Sequence, residues 1–521
     1  MTMIPVRTAG KYGINKDLSE HELPVEAWTD GLNIRFLGGL AHQAMGYSEY
    51  YTSAAVVPHH VLPVNISTAP YWIYASKEKL YCVTMTGGTP VHTNLTRQTA
   101  GNDVDYAATD NSWTSSLLSG IPILNPGNTT DPPQQWDLNT ANNFAALSNW
   151  PASTYAKALR SFGPYLIAMN IKEGSDTYPF MVWWSHPADP GAVPPSWDYT
   201  STTVEAGRYD LGDGYGQIVD GMQLRDVFMV YREKSIHRMD WIGGNNIFRF
   251  SKVLGDSGAM NRNCIVEVLG KHVVLTSSDV IMHDGFQFES ILNDQWRRWL
   301  FLNIDATYNS KCFVFKNTFF NEVYICFPSV GSTVCDRAIV WNYVDRNVTI
   351  RELPNILHAA EGPIDPVDNG VWSADEDPWG VDDTLWGGPD LVPWSSRVMM
   401  GTDQKIYLLD GAYSFAGAVP TVLLERRGLS FGATNAIKLV KSIQPVIKGQ
   451  EGAVINISVG SHWDINEEPV WTTKQFTIGT SVRSFFLVSG PYIAIKFENN
   501  NSYKFRLDSY QIDMEIVGEW Q

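Results

Sequence analysis

Basic residues are scarce in this 521-residue chain: 38 lysines and arginines stand against 55 aspartates and glutamates, a formal net charge of −17. Gripping nucleic acid takes clustered Lys and Arg to neutralise phosphates, so the composition argues against a protein of that kind. Charge of either sign is sparse, at 18% of residues, below the roughly one quarter of typical soluble domains, and disorder would push the balance the other way. Cysteine is nearly absent. The five thiols, Cys82, Cys264, Cys312, Cys326 and Cys335, are odd in number and have no CxxC spacing. Four of them fall in apolar, strand-like runs, so they read as reduced, buried thiols. No apolar run of about 18 residues occurs, which excludes a membrane-spanning helix. The opening Met1–Gly10 has no signal-peptide core. The expectation is a soluble protein made in a cytoplasm.

What the chain does have is aromatic and apolar residues, 12% and 44% of the total, with 19 Trp, 23 Tyr and 22 Phe. Such side chains suit a pleated, half-buried surface, so the composition leans towards sheet. A short apolar strand, a polar turn and a second apolar strand recur along the sequence. Asp226–Tyr231 turns into Ile236–Trp241, Lys271–Leu275 into Val280–His283, Val398–Met400 into Ile406–Leu409, Tyr71–Tyr74 into Leu80–Val83, and Tyr165–Asn170 into Phe180–Trp184. These are hairpins. Further units are placed at Gly120–Leu124 and from Phe313 to Trp341.

So many sheet edges need an architecture that hides them, and a ring of blades does so by radial repetition. The expected fold is therefore all-β: a β-propeller of about six blades over residues 34–420, after an N-terminal arm (1–33). At about 65 residues per blade, against ~40–45 for a compact repeat, long insertions must project. Two are expected: 97–156, rich in Asn, Thr, Pro and Trp, and the acidic 361–390. From Thr421 the strands Val454–Val459, Tyr492–Phe497 and Tyr510–Ile516 alternate with period two, as in a β-sandwich domain over 421–521. Residues 421–521 hold ten acidic and ten basic residues, so residues 1–420 carry the whole acid excess.

The sequence assigns no catalytic, cofactor-binding or metal-ligating residue, and the expectation is that the chain is not an enzyme. Gly255-Asp256-Ser257-Gly258-Ala259 looks like a serine-protease nucleophile loop. A His base and a buried Asp would have to surround Ser257, and the upstream histidines, His237 and His272, sit inside predicted strands. The segment reads as a turn. Asp375, Asp377 and Gly380 fall at positions one, three and six of a calcium loop, but Trp379 and Trp386 stand where oxygen ligands are needed. His59-His60 and His462-Trp463-Asp464 have no spaced partners for a metal. Trp372, Trp379, Trp386 and Trp394 would suit either sugar stacking or blade contacts. Two alternatives to a structural role are thus a carbohydrate- or receptor-binding propeller and, further off, a polysaccharide hydrolase.

Taken end to end, the order of short motifs resembles the tail nozzle proteins of short-tailed bacteriophages, also called tail tubular or packaged-DNA stabilisation proteins. The likeness begins with Gly13-Ile14-Asn15-Lys16-Asp17-Leu18 and Glu22-Leu23-Pro24. It continues through Ala27-Trp28-Thr29-Asp30-Gly31-Leu32-Asn33-Ile34-Arg35-Phe36 to Gly46. It also takes in Trp150-Pro151, the block from Gly221 to Gly285, and Gly490–Phe497. The resemblance implies a virion-tail protein assembled in the host cytoplasm, a hexamer below an adaptor ring, in contact with tail fibres or spikes and reaching the host surface at its tip. It would retain packaged DNA and conduct it outwards, without catalytic residues or cofactors. Independently, an acidic wall repels a passing duplex and lets it slide, so the acidic residues of the propeller part are expected to line the channel of the assembled ring.

Overall fold

A computed structural model describes residues 2–66, 69–212, 214–244, 246–364 and 396–519. The chain is all-β, with one helix, α1 (Asp294–Asn303), among the described residues beyond single 3-10 turns. Each hairpin anticipated from the sequence is present as a strand pair. Seven four-stranded antiparallel sheets follow one another. Numbered in chain order, sheets 1 to 6 lie within residues 60–94, 114–146, 154–210, 218–255, 265–290 and 313–356, and sheet 7 within 358–409. The outermost strand of sheet 7 comes from far upstream: Tyr47–Tyr51 pairs with Ile406–Leu409. Borrowing that strand covers an edge that would otherwise present unpaired N–H and C=O groups.

Contacts at or beside the first strands link the seven sheets in a circuit. His60 Nε2 meets Ser115 Oγ at 2.8 Å, and Leu159 N donates to Thr114 Oγ1 at 3.2 Å. Arg160 binds Asp220, and Asn263 N donates to Asp220 Oδ2 at 3.1 Å. Val314 N donates to Asn263 O at 2.9 Å. The rings of Phe313 and His358 stack 5.6 Å apart, and Val61 N returns to His358 Nδ1 at 3.3 Å.

Seven sheets, not about six, make the circuit, and sheet 2, which includes the unit expected at Gly120–Leu124, fills the stretch also expected to be a surface insertion. Residues 97–156 contain all of sheet 2, whose two outer strands, Gln134–Gln135 and Ala145–Ala146, are two residues long. Strands that short leave no periodicity to read. Buried aromatics hold the region instead: Trp113, Trp136 and Phe144 are 2% exposed or less. The acidic stretch from residue 365, with Asp375, Asp377, Trp372, Trp379, Trp386 and Trp394, lies outside the described residues.

Middle strands of the sheets are buried on both faces, as in Val227–Arg232 and Glu322–Phe327. This explains their unbroken apolar sequences. All five cysteines are buried and unpaired.

Two larger sheets bring the chain ends together. The six-stranded sheet joins Ile34–Leu37, Leu40–Gln43 and Thr2–Val6 to Phe505–Glu519, Ala436–Gly449 and Ser484–Gly490. The five-stranded sheet pairs Asp30–Leu32 with Val422–Leu429, beside Tyr492–Asn499, Val454–His462 and Val470–Thr477. Residues 1–33, read as an arm, and 34–43, read as the start of the ring, thus contribute strands to the same sheets as residues 421–519. One buried cluster serves both sheets, α1 and the apolar faces of sheets 5 and 6. Trp28, 1% exposed, sits between Phe497 of one sheet and Tyr510 of the other.

The Asn15–Asp17 segment fixes α1 from a distance. The N-cap residue Asn293 makes no side-chain cap of its own. Asp17 Oδ1 instead accepts from Gln295 N at 2.9 Å, and Asp17 Oδ2 from Asn293 Nδ2 at 2.5 Å. Lys16 lies 5.3 Å from the Trp296 ring centroid. An acceptor at a helix N-terminus contributes about 1 kcal/mol. Asp17→Ala is expected to speed hydrogen exchange of the first α1 amides about fivefold, leaving sheets 1 to 4 unchanged.

Candidate functional site

Within this circuit, side chains of sheets 3 and 4 and of the segments leading into sheets 2 and 5 converge on one another. Arg160, on the first strand of sheet 3, binds Asp220 bidentately, Nε–Oδ1 at 2.9 Å and Nη2–Oδ2 at 2.6 Å. It also donates to Ser115 O at 3.0 Å and Asn263 Oδ1 at 2.9 Å. Asp220, 1% exposed, takes the backbone N–H groups of Gly221 and Asn263 as well. The neighbouring Arg262 donates to three carbonyls, of Ser112 and Lys157 at 2.8 Å and of Gly127 at 3.2 Å. Burial pushes Arg262 down to about 10, against the pull of Asp220. Asn111 adds donations to the carbonyls of Arg262, Ser310 and Cys312.

Chemically this hub is a bolt. Glycoside hydrolysis takes two carboxyl groups that face a bond with about 5–9.5 Å between them. Asp220 is committed to Arg160, and Glu361, on the first strand of sheet 7, accepts from Thr318 N at 3.0 Å. Beside the hub lies a cleft of about 200 Å³ lined by Arg160, Asn263, Lys316, His358 and Glu361, among others.

Histidines form a second set of buried groups. Tyr231 OH lies 2.7 Å from both His272 Nδ1 and His283 Nε2. His272 Nε2 faces the carbonyl of Gln223 at 3.0 Å, so that nitrogen carries the proton and Nδ1 accepts from Tyr231. His283 Nδ1 accepts from Gly285 N at 3.2 Å, so Nε2 donates to Tyr231. Both rings are therefore neutral and fully bonded. Burial pushes His272 down to about 3 and His283 to about 4. It lowers His358 to about 3 and His237 to about 4, and His60 falls well below its ordinary value.

These shifts have a definite sign. Unfolded histidines bind a proton near pH 6.5, where the folded ones do not, so stability is full above that pH and declines as pH falls towards 4. Each such histidine contributes about 1.4 kcal/mol per pH unit in that window. Urea denaturation between pH 7 and 4.5 is expected to show this decline. His272→Gln should flatten the slope by about one histidine's share.

The residues singled out in the sequence are placed as follows. Ser257 lies in a turn after the last strand of sheet 4, with Asp256 at φ 64°. A Cβ on Gly258 would come within 1.8 Å of Arg232 O, so close approach of two backbones accounts for that glycine. His237 bonds Ser235 at 3.1 Å within its own strand, and His272 of sheet 5 bonds Tyr231 of sheet 4. His462 Nδ1 lies 2.8 Å from Asp464 O, and His59 lies 3.4 Å from Asp110. Among the described residues, no group of three His, Cys, Asp or Glu is arranged to hold a metal ion.

What sequence reading missed is a buried ion cluster where the N-terminal strands meet sheets 6 and 7. Arg35 binds Glu322 through Nε at 2.6 Å and Nη2 at 2.8 Å, and Asp410 at 3.1 Å. Arg351 binds Asp410 at 3.2 Å and Tyr324 OH at 2.6 Å, and also reaches Met45 O. All four charged side chains are 5% exposed or less. Burial opposes the charge on Arg35, but Asp410 and Glu322 outweigh it and hold the guanidinium well above its ordinary value.

No family model matches the chain, and no curated protein matches it. Among solved structures it matches an exo-beta-1,3-galactanase from Phanerochaete chrysosporium, crystallised with galactose. The match covers 90% of this chain and 100% of that one, at 8% identity and a TM-score of 0.29. That protein is an exo-beta-1,3-galactanase, an enzyme, and the expectation that the present chain is not an enzyme is withdrawn. It rested on the want of a familiar catalytic motif, and such a want does not decide activity on a fold that hosts many functions. At this identity and TM-score the likeness assigns no activity to the chain.

Proposed function

We propose that the chain is a structural component of a short phage tail, a nozzle that assembles as a hexamer, retains packaged DNA and conducts it during ejection. In this reading the seven sheets are the blades of a β-propeller, and the two larger sheets form a β-sandwich.

The observation that carries the proposal is the edge of the six-stranded sheet. Strand Ser484–Gly490 pairs on one side only. Its outward side chains Phe485 and Leu487 are 70% and 83% exposed. Edge strands of soluble proteins are blunted by charge or proline, and this strand has neither. An apolar edge of this kind calls for a neighbour, and a second copy of the chain is the neighbour an oligomeric tail part supplies.

The motif residues behind the resemblance fit the same reading. Lys16 and Asp17 hold α1, Trp28 fills the core between the two sheets, Arg35 anchors the ion cluster, and Gly46 sits where a Cβ would meet Ser414 O at 2.1 Å. They specify a frame, and the acid excess of residues 1–420 remains the proposed lining of the assembled channel.

Leu487→Asp is expected to leave the denaturation midpoint within about 0.5 kcal/mol of wild type, as for other exposed sites, and to shift the mass of the assembly towards monomer in light scattering. Unchanged assembly would count against the edge. Release of reducing sugar from polysaccharide by the purified chain would favour the polysaccharide-hydrolase alternative and displace the nozzle reading.

A further inference from the structure

A surface cleft of about 1060 Å³ lies where the outer edges of sheets 3 and 4 meet, a volume at the upper end of small-molecule sites, about 300–1,000 Å³. Its apolar platform joins the two sheets. Tyr209, on the outermost strand of sheet 3, stacks on Phe250, on the outermost strand of sheet 4, with centroids 4.7 Å apart and planes 5° apart. Tyr209 is 48% exposed. A second aromatic, Tyr199, carries the guanidinium of Arg208 3.7 Å over its ring. Arg208 is itself held by Glu173 at 3.3 Å. Glu205 also lines the cleft, and its carboxylate accepts from Tyr165 OH at 2.5 Å. The wall between them is a run of hydroxyls, Thr200 to Thr203, in which Ser201 Oγ and Thr203 Oγ1 lie 2.9 Å apart.

We propose that this cleft binds the pyranose rings of a polysaccharide, as a function additional to tail assembly. A pyranose ring has an apolar C–H face and a rim of hydroxyls. The Tyr209 face suits the first, and the fixed fork of Arg208, the Glu205 carboxylate and the threonine hydroxyls suit the second. A wholly apolar ligand would strip water from those polar groups and offer no hydrogen bond in its place. A phosphate-rich ligand would meet Glu205 and an arginine already neutralised by Glu173. A neutral sugar satisfies both sides.

The test is saturation-transfer NMR on the full chain with cellohexaose, maltohexaose, chitohexaose and a linear mannohexaose. At least one is expected to show transfer. Tyr209→Ala should weaken that sugar at least tenfold, and Tyr209→Phe, which keeps the ring, should retain it. Trp463→Ala, at an exposed tryptophan elsewhere (52% exposed), should have no effect. Arg208→Gln gives an independent reading if Tyr209→Ala folds poorly. Transfer from none of the four sugars, or transfer indifferent to both cleft variants, overturns the proposal. Assembly in light scattering should be the same for Tyr209→Ala and wild type, which separates the failure of this site from failure of the nozzle reading.

Discussion

Asp220→Ala is expected to destabilise the chain by about 3–5 kcal/mol, the cost of leaving one partner of a buried ion pair uncompensated. The position explains the size of the effect. Asp220 receives two bonds from Arg160 and the N–H groups of Gly221 and Asn263. Alanine therefore strands a guanidinium whose side chain is 12% exposed, together with two backbone donors. Those donors belong to sheets 3 and 4 and to the segment leading into sheet 5, so the loss falls on the contact that links three neighbours in the circuit. Asp220→Asn keeps the shape but loses the charge and one of the two acceptor oxygens, so it should recover only a small part of the loss. Arg160→Met with Asp220→Leu removes both charges and should recover much of the loss, because replacing a buried pair by apolar groups is often neutral. Urea denaturation followed by tryptophan fluorescence measures all three.

Arg35→Ala should cost a similar amount, about 3–5 kcal/mol, through a different part of the molecule. With Arg35 gone, Glu322 and Asp410 remain buried and share Arg351 as their cation. Asn317 Nδ2 at 2.9 Å from Asp410 and Tyr324 OH at 3.0 Å from Glu322 compensate only in part. Arg35→Lys is no conservative change here, since an ammonium cannot reproduce the bidentate grip on Glu322. It should lose about half of what alanine loses. Because Arg35 lies on a strand of the six-stranded sheet, the variant should also loosen the N-terminal strands before the ring. Limited proteolysis between residues 20 and 46, ahead of global unfolding, is the expected sign. Uniform resistance up to the global transition would contradict the assignment of Arg35 as the anchor.

The hairpins were legible because their signal is local: an apolar run buried on both faces, then a turn of Gly, Asp, Ser or Lys. Strands Val454–His462 and Tyr492–Asn499 were legible through their alternation. Sheet 2 was legible only at Gly120–Leu124, since its outer strands, such as Gln134–Gln135, have two residues and carry no period. The number of sheets was not legible. The outer strand of sheet 7 is Tyr47–Tyr51, some 350 residues from the strand it pairs with, and nothing near Tyr47 advertises that partner.

The same distance hides the ion cluster, for Arg35 and Glu322 acquire meaning only once the chain has returned. The opening motif could be read as a mark of resemblance, while its physical work, Asp17 capping α1 from 278 residues away, could not. His237 and His272 drew attention as possible partners of Ser257. Their strands were correctly expected, and His237 bonds the hydroxyl of Ser235 in its own strand while His272 meets that of Tyr231 in the next sheet. The expectation of no enzymatic activity failed for a related reason, because it treated a missing motif as a finding about chemistry.

Electron microscopy of the purified chain, mixed with an adaptor ring of the kind of short tail proposed for it, tests the account most directly. A six-membered tube docked on the ring, with the strand Ser484–Gly490 at the contact between copies, is the predicted result. A chain that stays monomeric and ignores the adaptor would contradict it.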